Sequence, residues 1–358
     1  MFYNFIFPYF HFVTGMNLLR YITFRTLCAL FTSLIISFLL YPTFIHHDHF
    51  AQPIRNDGPE SHILKKRGTP TMGGMIIIAG TVLSSLLWGN LSNPYLWAII
   101  GLTIVYCLLG LADDILKVKY KTPEGVHGRV KLLVQFAGAI AFSVFVEMLR
   151  PGNLQGQLTF PFVKDVMLNL GVFITLFTSF VIVGSSNAVN LTDGLDGLAT
   201  FPSMIAALCL GIIAYVTGHV VFANYLKLSY VPMSGELCIF CGALIGACLG
   251  FLWYNAPPAQ IFMGDTGSLA IGGALGGISV IIKNEFVLAI IGGLFVIEAV
   301  SVMLQVGYYK LTKKRIFLMA PIHHHFEKLG WAESTVVIRF WILSFVFALI
   351  GLATLKIR

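Results

Sequence analysis

The sequence predicts an all-α membrane protein with ten transmembrane helices and both chain termini on the external side. Composition is the first observation behind this prediction: the 358-residue chain is 57% hydrophobic and 11% charged, with a mean hydropathy of +0.84. A typical soluble domain carries about 25% charged residues. So few charges cannot build a water-soluble surface, and lipid is therefore expected to solvate most of the chain.

The second observation is a series of apolar stretches, each about as long as a helix that crosses the hydrocarbon layer. Ten such stretches occur, at residues 23–41, 72–90, 95–112, 132–149, 167–186, 199–217, 237–254, 268–282, 286–309 and 337–355. The eighth is short and rich in Gly, which favours close packing between helices. No internal repeat or soluble domain interrupts the series, so residues 1–358 are predicted to form a single polytopic membrane domain.

The third observation is the unequal distribution of Lys and Arg. The loops after the odd-numbered stretches hold 14 of these residues, whereas the opposite side holds seven. The positive-inside rule makes the first side cytoplasmic. Five cytoplasmic loops follow, at about residues 42–71, 113–131, 187–198, 255–267 and 310–336. The net charge of +7 is explained by this placement, and nucleic acid is not an expected partner.

The five cytoplasmic loops also carry the polar clusters that suggest chemistry. These clusters are K-K-R-G-T-P-T-M-G-G, D-D-I-L-K, N-A-V-N-L-T-D-G-L-D-G, N-A-P-P-A-Q-I-F-M-G-D-T-G-S and A-P-I-H-H-H-F-E. The external loops carry no comparable motif. An enzyme that uses a cytosolic substrate explains this sorting better than a structural protein, and we expect the five loops to form one active site.

Two adjacent acids, Asp113 and Asp114, end the third stretch, and Lys117 follows one helical turn later. On a helix Lys117 can reach back to both acids. A salt bridge at a helix end is the simpler interpretation. However, an acid costs about 2.5–3.5 kcal/mol at the bilayer centre and less at its edge. The retention of two acids therefore favours a metal or proton site.

Amides and acids recur every third residue after the fifth stretch, at Asn187, Asn190, Asp193 and Asp196. Helical spacing places them in one polar stripe. The intervening glycines allow a turn and the close approach of a ligand. A helix cap needs fewer polar groups than this, so the stripe is predicted to bind a ligand.

Asp265 lies in M-G-D-T-G-S, just before the eighth stretch, and Asn255 lies ten residues earlier in the same loop. A carboxylate in a glycine-flanked turn at a helix start suits Mg²⁺ beside phosphate. A simple N-cap remains the alternative for a single Asp. Lys66 and Lys131 supply cations on the same side, although no Walker A motif is present.

Three consecutive histidines, His323, His324 and His325, follow A-P-I in the last cytoplasmic loop. Zinc sites usually space their ligands more widely, so contact with an anionic substrate is the better interpretation. Glu298 and Gln305 lie seven residues apart and share a helix face. Glu298 is an intramembrane acid and hence a functional candidate, with a helix-packing hydrogen bond as the alternative.

Taken together, the five motifs and ten stretches resemble the phospho-N-acetylmuramoyl-pentapeptide-transferase family, within the polyprenyl-phosphate sugar-1-phosphate transferases. P-T-M-G-G together with P-I-H-H-H-F-E is the part that resembles this family specifically. The resemblance implies transfer of phospho-MurNAc-pentapeptide from UDP-MurNAc-pentapeptide to undecaprenyl phosphate, giving lipid I and UMP. It also implies Mg²⁺ as cofactor, a homodimer, and a location in the bacterial inner membrane with the active site facing the cytoplasm.

The resemblance also implies roles for individual residues. Asp265 matches the metal ligand, Asp113 and Asp114 match an acidic pair that acts on the lipid phosphate or the metal, and His323 and His324 match essential histidines. The expected substrate contacts are Lys66, Thr71, Lys117, Lys131, Asn187, Asn190, Asp193, Asp196, Asn255, Gln305 and His325.

Two mechanisms are compatible with these residues. The lipid phosphate attacks directly, with an acid such as Asp113 orienting or deprotonating it, or a carboxylate first forms a phosphoryl-enzyme intermediate. Direct attack is preferred, because the nucleophile is already an anion.

Two other functions compete with this one. A transporter would place its binding groups near the midplane between repeats, which the sequence does not show. A HexNAc-1-phosphate transferase of the same superfamily is the closer alternative, and the histidine loop and P-T-M-G-G argue against it.

Overall fold

A computed structural model of the chain describes residues 1–10, 15–46, 68–121, 124–163 and 167–357. Lys66 and most of the first predicted cytoplasmic loop lie outside these ranges. The helices of the main body are α1 (Ile22–Ile45), α2 (Gly74–Trp88), α3 (Pro94–Tyr120), α4 (Gly128–Leu149), α5 (Phe173–Thr192), α6 (Thr200–Thr217), α7 (Val220–Leu226), α8 (Leu237–Asn255), α9 (Gly264–Ile281), α10 (Glu285–Ile291), α11 (Gly293–Thr312), α12 (Ile322–Lys328) and α13 (Glu333–Ala353). Short helical turns at Phe2–Ile6, Phe7–Phe10 and Met16–Arg20 precede them.

The helices agree with the predicted fold class, an all-α membrane protein. Among the described residues, eight segments are long and apolar enough to cross a membrane: Ile22–Ile45, Pro94–Tyr120, Gly128–Leu149, Phe173–Thr192, Thr200–Thr217, Ser234–Asn255, Gly293–Thr312 and Glu333–Ala353. The helix α2 is apolar but shorter. Helix α9 coincides with the eighth predicted stretch. An all-α membrane protein is therefore confirmed.

Two predicted stretches differ from the structure. The fifth was expected to begin at residue 167, but Met167–Asn169 is a strand that pairs antiparallel with Gln157–Thr159, and α5 begins only at Phe173. The ninth, predicted as one helix over 286–309, is divided between α10 and α11 at Gly292. Hydropathy detects apolar segments, but it cannot detect where the backbone pairs or breaks within them.

Helix α9 occupies the centre of the bundle, and every residue from Thr266 to Ile281 is buried. Its glycines allow this position. A Cβ on Gly272 would lie 2.6 Å from the Ser186 Cα, and a Cβ on Gly273 would lie 2.7 Å from the Tyr106 ring. The expected close packing of the Gly-rich stretch is confirmed, and it holds the first turn of α9 against α3 and α5.

Buried ion pairs also occur at the end of the bundle opposite the predicted site. Arg25 donates two hydrogen bonds to Glu236, at 2.8 and 2.7 Å, and Arg150 pairs with Glu147. These pairs join residues at helix ends and form no sequence motif like those of the five predicted cytoplasmic loops. These charges are paired within the protein, which is consistent with a structural role.

Candidate active site

The acidic end of α3 meets the first turn of α9. Lys117 Nζ lies 2.7 Å from Asp113 Oδ2 and 3.3 Å from Asp265 Oδ2. Lys131, in the first turn of α4, bridges the same two acids: its Nζ lies 2.9 Å from Asp113 Oδ1 and 2.7 Å from Asp265 Oδ2. Asp113 and Asp265, which are 152 residues apart in the sequence, thus share two cations.

Asp114 has different partners from its neighbour Asp113. Its Oδ2 accepts hydrogen bonds from the Thr266 backbone N–H at 2.9 Å and the Thr266 hydroxyl at 2.7 Å. Its Oδ1 accepts the Asp265 N–H at 3.2 Å. Asp114 therefore caps the N-terminus of α9 from another helix. The expected ion pair between Lys117 and Asp114 is replaced by the pairs with Asp113 and Asp265.

Two glycines make the α3–α9 contact close enough for this arrangement. A Cβ on Gly110 would lie 2.2 Å from the Asp265 carbonyl oxygen and 2.6 Å from the Thr266 Cα. Gly264 has a positive φ of 74°, and a Cβ there would lie 2.5 Å from Asp114 Oδ2. Only glycine accommodates both the backbone conformation and the neighbouring carboxylate at position 264.

The charges around Asp265 keep its carboxyl group ionised. The ammonium groups of Lys117 and Lys131 lie 3.3 and 2.7 Å from Asp265 Oδ2 and stabilise its ionised form. An ionised carboxylate is the form that binds a cation.

The residues present fit a divalent metal ion such as Mg²⁺. One carboxylate oxygen from each of Asp113, Asp114 and Asp265 lies within 4.8 Å of the others. The donors in this group are all carboxylate oxygens, which are the hard ligands that Mg²⁺ prefers. Asp265 is not the N-cap of α9, because the N-cap residue is Met263 and Asp265 is the second residue of the helix. The N-cap alternative for Asp265 is thereby removed.

The P-T-M-G-G segment runs along the loop that precedes α9. The Phe262 N–H donates to the Pro70 carbonyl at 2.8 Å, and the Gly73 N–H donates to the Phe262 carbonyl at 2.9 Å. Thr71 is buried, and its hydroxyl has no hydrogen-bond partner among the described residues. This unpaired hydroxyl lies beside Gly264, and substrate contact by Thr71 stays a prediction.

The polar stripe after the fifth stretch begins within α5, not in a loop. Asn190 Nδ2 donates to Asp265 Oδ1 at 3.0 Å and to the Ser268 hydroxyl at 2.8 Å. Asn187 Nδ2 donates to Gln135 Oε1 at 3.0 Å. Helical spacing is confirmed for these two residues. Asn190 belongs to the acidic cluster, whereas Asn187 links α5 to α4.

The segment from Asp193 to Gly197 leaves α5 and is fixed from several sides. Asp193 is the C-cap of α5. Asp196 Oδ2 accepts the Ala259 N–H at 3.0 Å. Asn255 accepts the Gly197 N–H at 2.9 Å through Oδ1 and donates to the Ile261 carbonyl through Nδ2, also at 2.9 Å. Asn255 thus joins two loops, and substrate contact by its side chain stays a prediction.

The three histidines begin α12 but differ in environment. His323 is buried, and its Nδ1 lies 3.0 Å from Glu298 Oε2. His324 Nδ1 lies 2.6 Å from Glu327 Oε2, and the ring is half-buried. His325 Nδ1 accepts the Leu318 N–H at 3.2 Å. His324 is therefore closer to the surface than His323, and each of the three has a different partner.

Gln305 of α11 contacts the loop that precedes the histidine helix. Its Oε1 accepts the N–H groups of Ile316 and Phe317, at 3.0 and 2.9 Å, and its Nε2 donates to the Phe317 carbonyl at 3.2 Å. Gln305 therefore shapes the loop that leads into α12. A direct substrate contact for it stays a prediction.

Several residues around the site were missed by the sequence analysis. Glu333 accepts the Asp196 N–H at 3.1 Å, and the Trp341 indole N–H donates to the Gly197 carbonyl at 3.1 Å. Gly125 approaches Asp113 so closely that a Cβ would lie 2.1 Å from Oδ1. A single sequence gives no signal for such contacts, because an isolated Gly, Trp or Glu fits many structural roles.

The site and the fold define a class of membrane enzymes that transfer sugar phosphates. The model for Glycosyl transferase family 4 matches residues 96–283, which include the paired acids, the α5 stripe and Asp265. The phospho-N-acetylmuramoyl-pentapeptide-transferase signature 1 matches residues 66–78, which include P-T-M-G-G.

Similar curated proteins narrow the class further. The chain is 56% identical over 346 residues to the phospho-N-acetylmuramoyl-pentapeptide-transferase of Granulibacter bethesdensis, covering 96% of each chain. Proteins of the same name from Pelagibacter ubique and Ruegeria pomeroyi are each 55% identical over 346 residues, again with 96% coverage of both chains. The chain belongs to the phospho-N-acetylmuramoyl-pentapeptide-transferase family.

Proposed function

We propose that this protein transfers phospho-MurNAc-pentapeptide from UDP-MurNAc-pentapeptide to undecaprenyl phosphate, forming lipid I and UMP for peptidoglycan synthesis. The names of the relatives support this reaction. The observation that carries it is the convergence of Asp113, Asp265, Lys117 and Lys131, since phosphoryl transfer depends on positioning and on neutralising charge.

The cellular setting follows from the distribution of charge and polar groups. The chain is a multi-pass protein of the bacterial inner membrane, with ten spans, external termini and an active site on the cytoplasmic face. The eight helices that qualify as spans, together with α2 and α9, make ten when α10 and α11 are counted as one interrupted span. The Lys and Arg excess on the side of the acidic cluster supports the orientation. A homodimer is the expected assembly.

Mg²⁺ is the proposed cofactor, held by Asp265 with the help of Asp113. When bound, a divalent cation neutralises charge on the diphosphate and so assists the departure of UMP. The carboxylate cluster and the absence of softer donors within it support this choice. Asp114 contributes indirectly, because it holds the first turn of α9 that carries Asp265.

The residues of the chain then have separable roles in the transfer. Lys117 and Lys131 place two positive charges beside the acids, where they also attract the phosphates of both substrates. Asp113 orients the lipid phosphate or removes its remaining proton. An oxygen of that phosphate bonds to the sugar-linked phosphorus, and the bond from this phosphorus to the UMP oxygen breaks.

The remaining predicted residues are assigned to substrate binding. Asn190, Asp193 and Asp196 lie along α5 and the segment after it, on the side proposed to take the uridine nucleotide. Half-buried His324 is close enough to the surface to reach an anionic substrate, and His325 lies next to it. Lys66 and Thr71 are the proposed contacts from the first loop.

Substrate choice tests the proposal directly. Purified protein in detergent with undecaprenyl phosphate and Mg²⁺ is incubated separately with radiolabelled UDP-MurNAc-pentapeptide and UDP-HexNAc. We expect lipid-linked product only with UDP-MurNAc-pentapeptide. Product only with UDP-HexNAc would instead identify a HexNAc-1-phosphate transferase, which is the second candidate function.

The order of bond formation is tested in the absence of the lipid acceptor. Direct attack predicts no stoichiometric burst of UMP when enzyme and UDP-MurNAc-pentapeptide are mixed and quenched rapidly. A covalent aspartyl-phosphate would release about one UMP per site before the lipid is added. The Asp113→Asn variant, measured in parallel, serves as the background for non-enzymatic hydrolysis.

A further inference from the structure

One titratable pair close to the site is not used by the mechanism above. His323 and Glu298 are both fully buried, at 0% exposure, and lie on different helices, α12 and α11. The His323 Nδ1 to Glu298 Oε2 distance is 3.0 Å. A carboxylate only accepts hydrogen bonds, so this contact places a proton on Nδ1. The glutamate therefore fixes the orientation of the imidazole.

The other edge of the imidazole faces the segment that follows α5. A Cβ added to Gly194 would lie 2.3 Å from His323 Nε2 and 2.9 Å from Cε1, and these are its nearest neighbours. Gly194 does not have a positive φ, in contrast to Gly197 at +75°. Its backbone conformation therefore does not require glycine. Glycine is needed at position 194 because a side chain there would collide with the His323 ring.

A small hydrophobic cluster packs the segment around residues 193–197 against α12 and α13. Leu195 and Leu198, on both sides of the Asp196–Gly197 turn, pack in one cluster with Val336, Val337 and Phe340 of α13. Ile322 and Phe326 of α12 pack against this cluster. His323 lies between those two residues in sequence, so its ring adds a contact with Gly194 to this apolar packing.

We propose that His323, held by Glu298, is a positioning residue that sets the location of the segment 193–197, and that it does not contact the reacting phosphates. The inference rests on the proposed function, because that segment carries Asp193 and Asp196, the proposed nucleotide contacts. It reassigns His323, which the sequence predicted to be catalytic. His324 keeps its place in the catalytic site.

Substitutions at position 323 separate positioning from catalysis. Asn supplies an N–H donor near the position of Nδ1, whereas Leu fills the space without a donor. We expect His323→Asn to keep kcat within about threefold of the parent, and His323→Leu to raise the KM for the UDP-sugar by about tenfold or more, as for loss of one buried hydrogen bond to a carboxylate. A loss of kcat in His323→Asn by several orders of magnitude, with KM unchanged, would show that the imidazole takes part in the chemistry.

The partner acid provides a second comparison. Glu298→Gln retains an oxygen that accepts the Nδ1–H, whereas Glu298→Ala leaves the buried imidazole without its partner. The Gln variant should therefore resemble the parent, and the Ala variant should reproduce the KM increase of His323→Leu. Equal, severe losses of kcat in both variants would contradict a positioning role for the pair.

The contact with Gly194 is tested by a double-mutant cycle. Gly194→Ala should raise KM because the new methyl group displaces the His323 ring. Added to His323→Ala, the same substitution should cause little further loss, because the space is then vacant. Gly184→Ala is the matched control, since a Cβ at Gly184 meets no atom within 4 Å, and it should match the parent. Additive effects of Gly194→Ala and His323→Ala would remove the proposed contact.

The kinetic tests remain informative if the substrate has been assigned wrongly. Should the wild-type protein turn over UDP-HexNAc instead, the proposed function fails, and the same KM and kcat comparisons are made with that sugar. Unfolding temperatures of all variants are measured in the same detergent. Variants with a parental unfolding temperature and a raised KM support positioning of the segment 193–197.

Discussion

Asp265→Asn is expected to reduce kcat by about 10²–10³-fold, while the protein still inserts into the membrane and purifies normally. Asparagine preserves the size of the side chain but removes the negative charge that faces Lys117 and Lys131. Without that charge, the site loses the carboxylate that is proposed to bind a divalent cation. Turnover of radiolabelled UDP-MurNAc-pentapeptide is measured across a Mg²⁺ titration.

A second readout separates metal binding from other effects of the substitution. Mn²⁺ binding to detergent-solubilised protein, followed by electron paramagnetic resonance, should weaken at least about tenfold in Asp265→Asn. The unfolding temperature of the metal-free protein reports on folding. Unchanged Mn²⁺ affinity together with parental turnover would exclude Asp265 as a metal ligand.

Gly110→Ala is expected to inactivate the enzyme, although it adds only a methyl group and Gly110 is not itself a predicted site residue. The new Cβ would lie 2.2 Å from the Asp265 carbonyl oxygen, so α3 and α9 must move apart. Such a shift separates Asp113 from Asp265, and a misplacement of about 1 Å costs roughly 10²-fold in rate. Overpacking also destabilises the fold by about 1–3 kcal/mol. Activity and unfolding temperature measure the two effects.

Gly101→Ala is the matched control on the same helix. A Cβ at Gly101 meets no atom within 4 Å, and the residue is exposed on the surface of the bundle. We expect parental activity from this variant. If Gly110→Ala were as active as Gly101→Ala, the close contact of α3 with α9 would not be needed to assemble the site.

Much of the architecture was predictable, because lipid imposes a simple rule on the sequence. A spanning helix must satisfy its own backbone and present apolar side chains, so hydropathy locates it. Each of the ten predicted stretches contains helix. The rule does not locate the strand Met167–Asn169 or the break between α10 and α11 at Gly292. At the strand, the backbone groups pair with Gln157–Thr159 instead of along a helix.

The sequence predicted which residues form the site, but it did not predict which of their side chains contact one another. Asp113, Asp265, Lys117, Lys131 and Asn190 were predicted to lie in one site, and the structure brings them into contact. The different contacts of the individual side chains could not be predicted from the sequence. The sequence treated the adjacent acids as a pair, whereas one of them faces the lysines and the other caps α9.

The sequence by itself determined the class of protein, the membrane-spanning character and the identity of the polar groups, because composition and motif depend only on residue type and spacing. The tertiary structure alone decided which of those groups meet, since contacts such as Asp114 with Thr266 and His323 with Gly194 join residues more than a hundred positions apart. Their formation depends on how closely the helix backbones approach one another. That distance is set by glycines whose importance appears only when the neighbouring helix is in place.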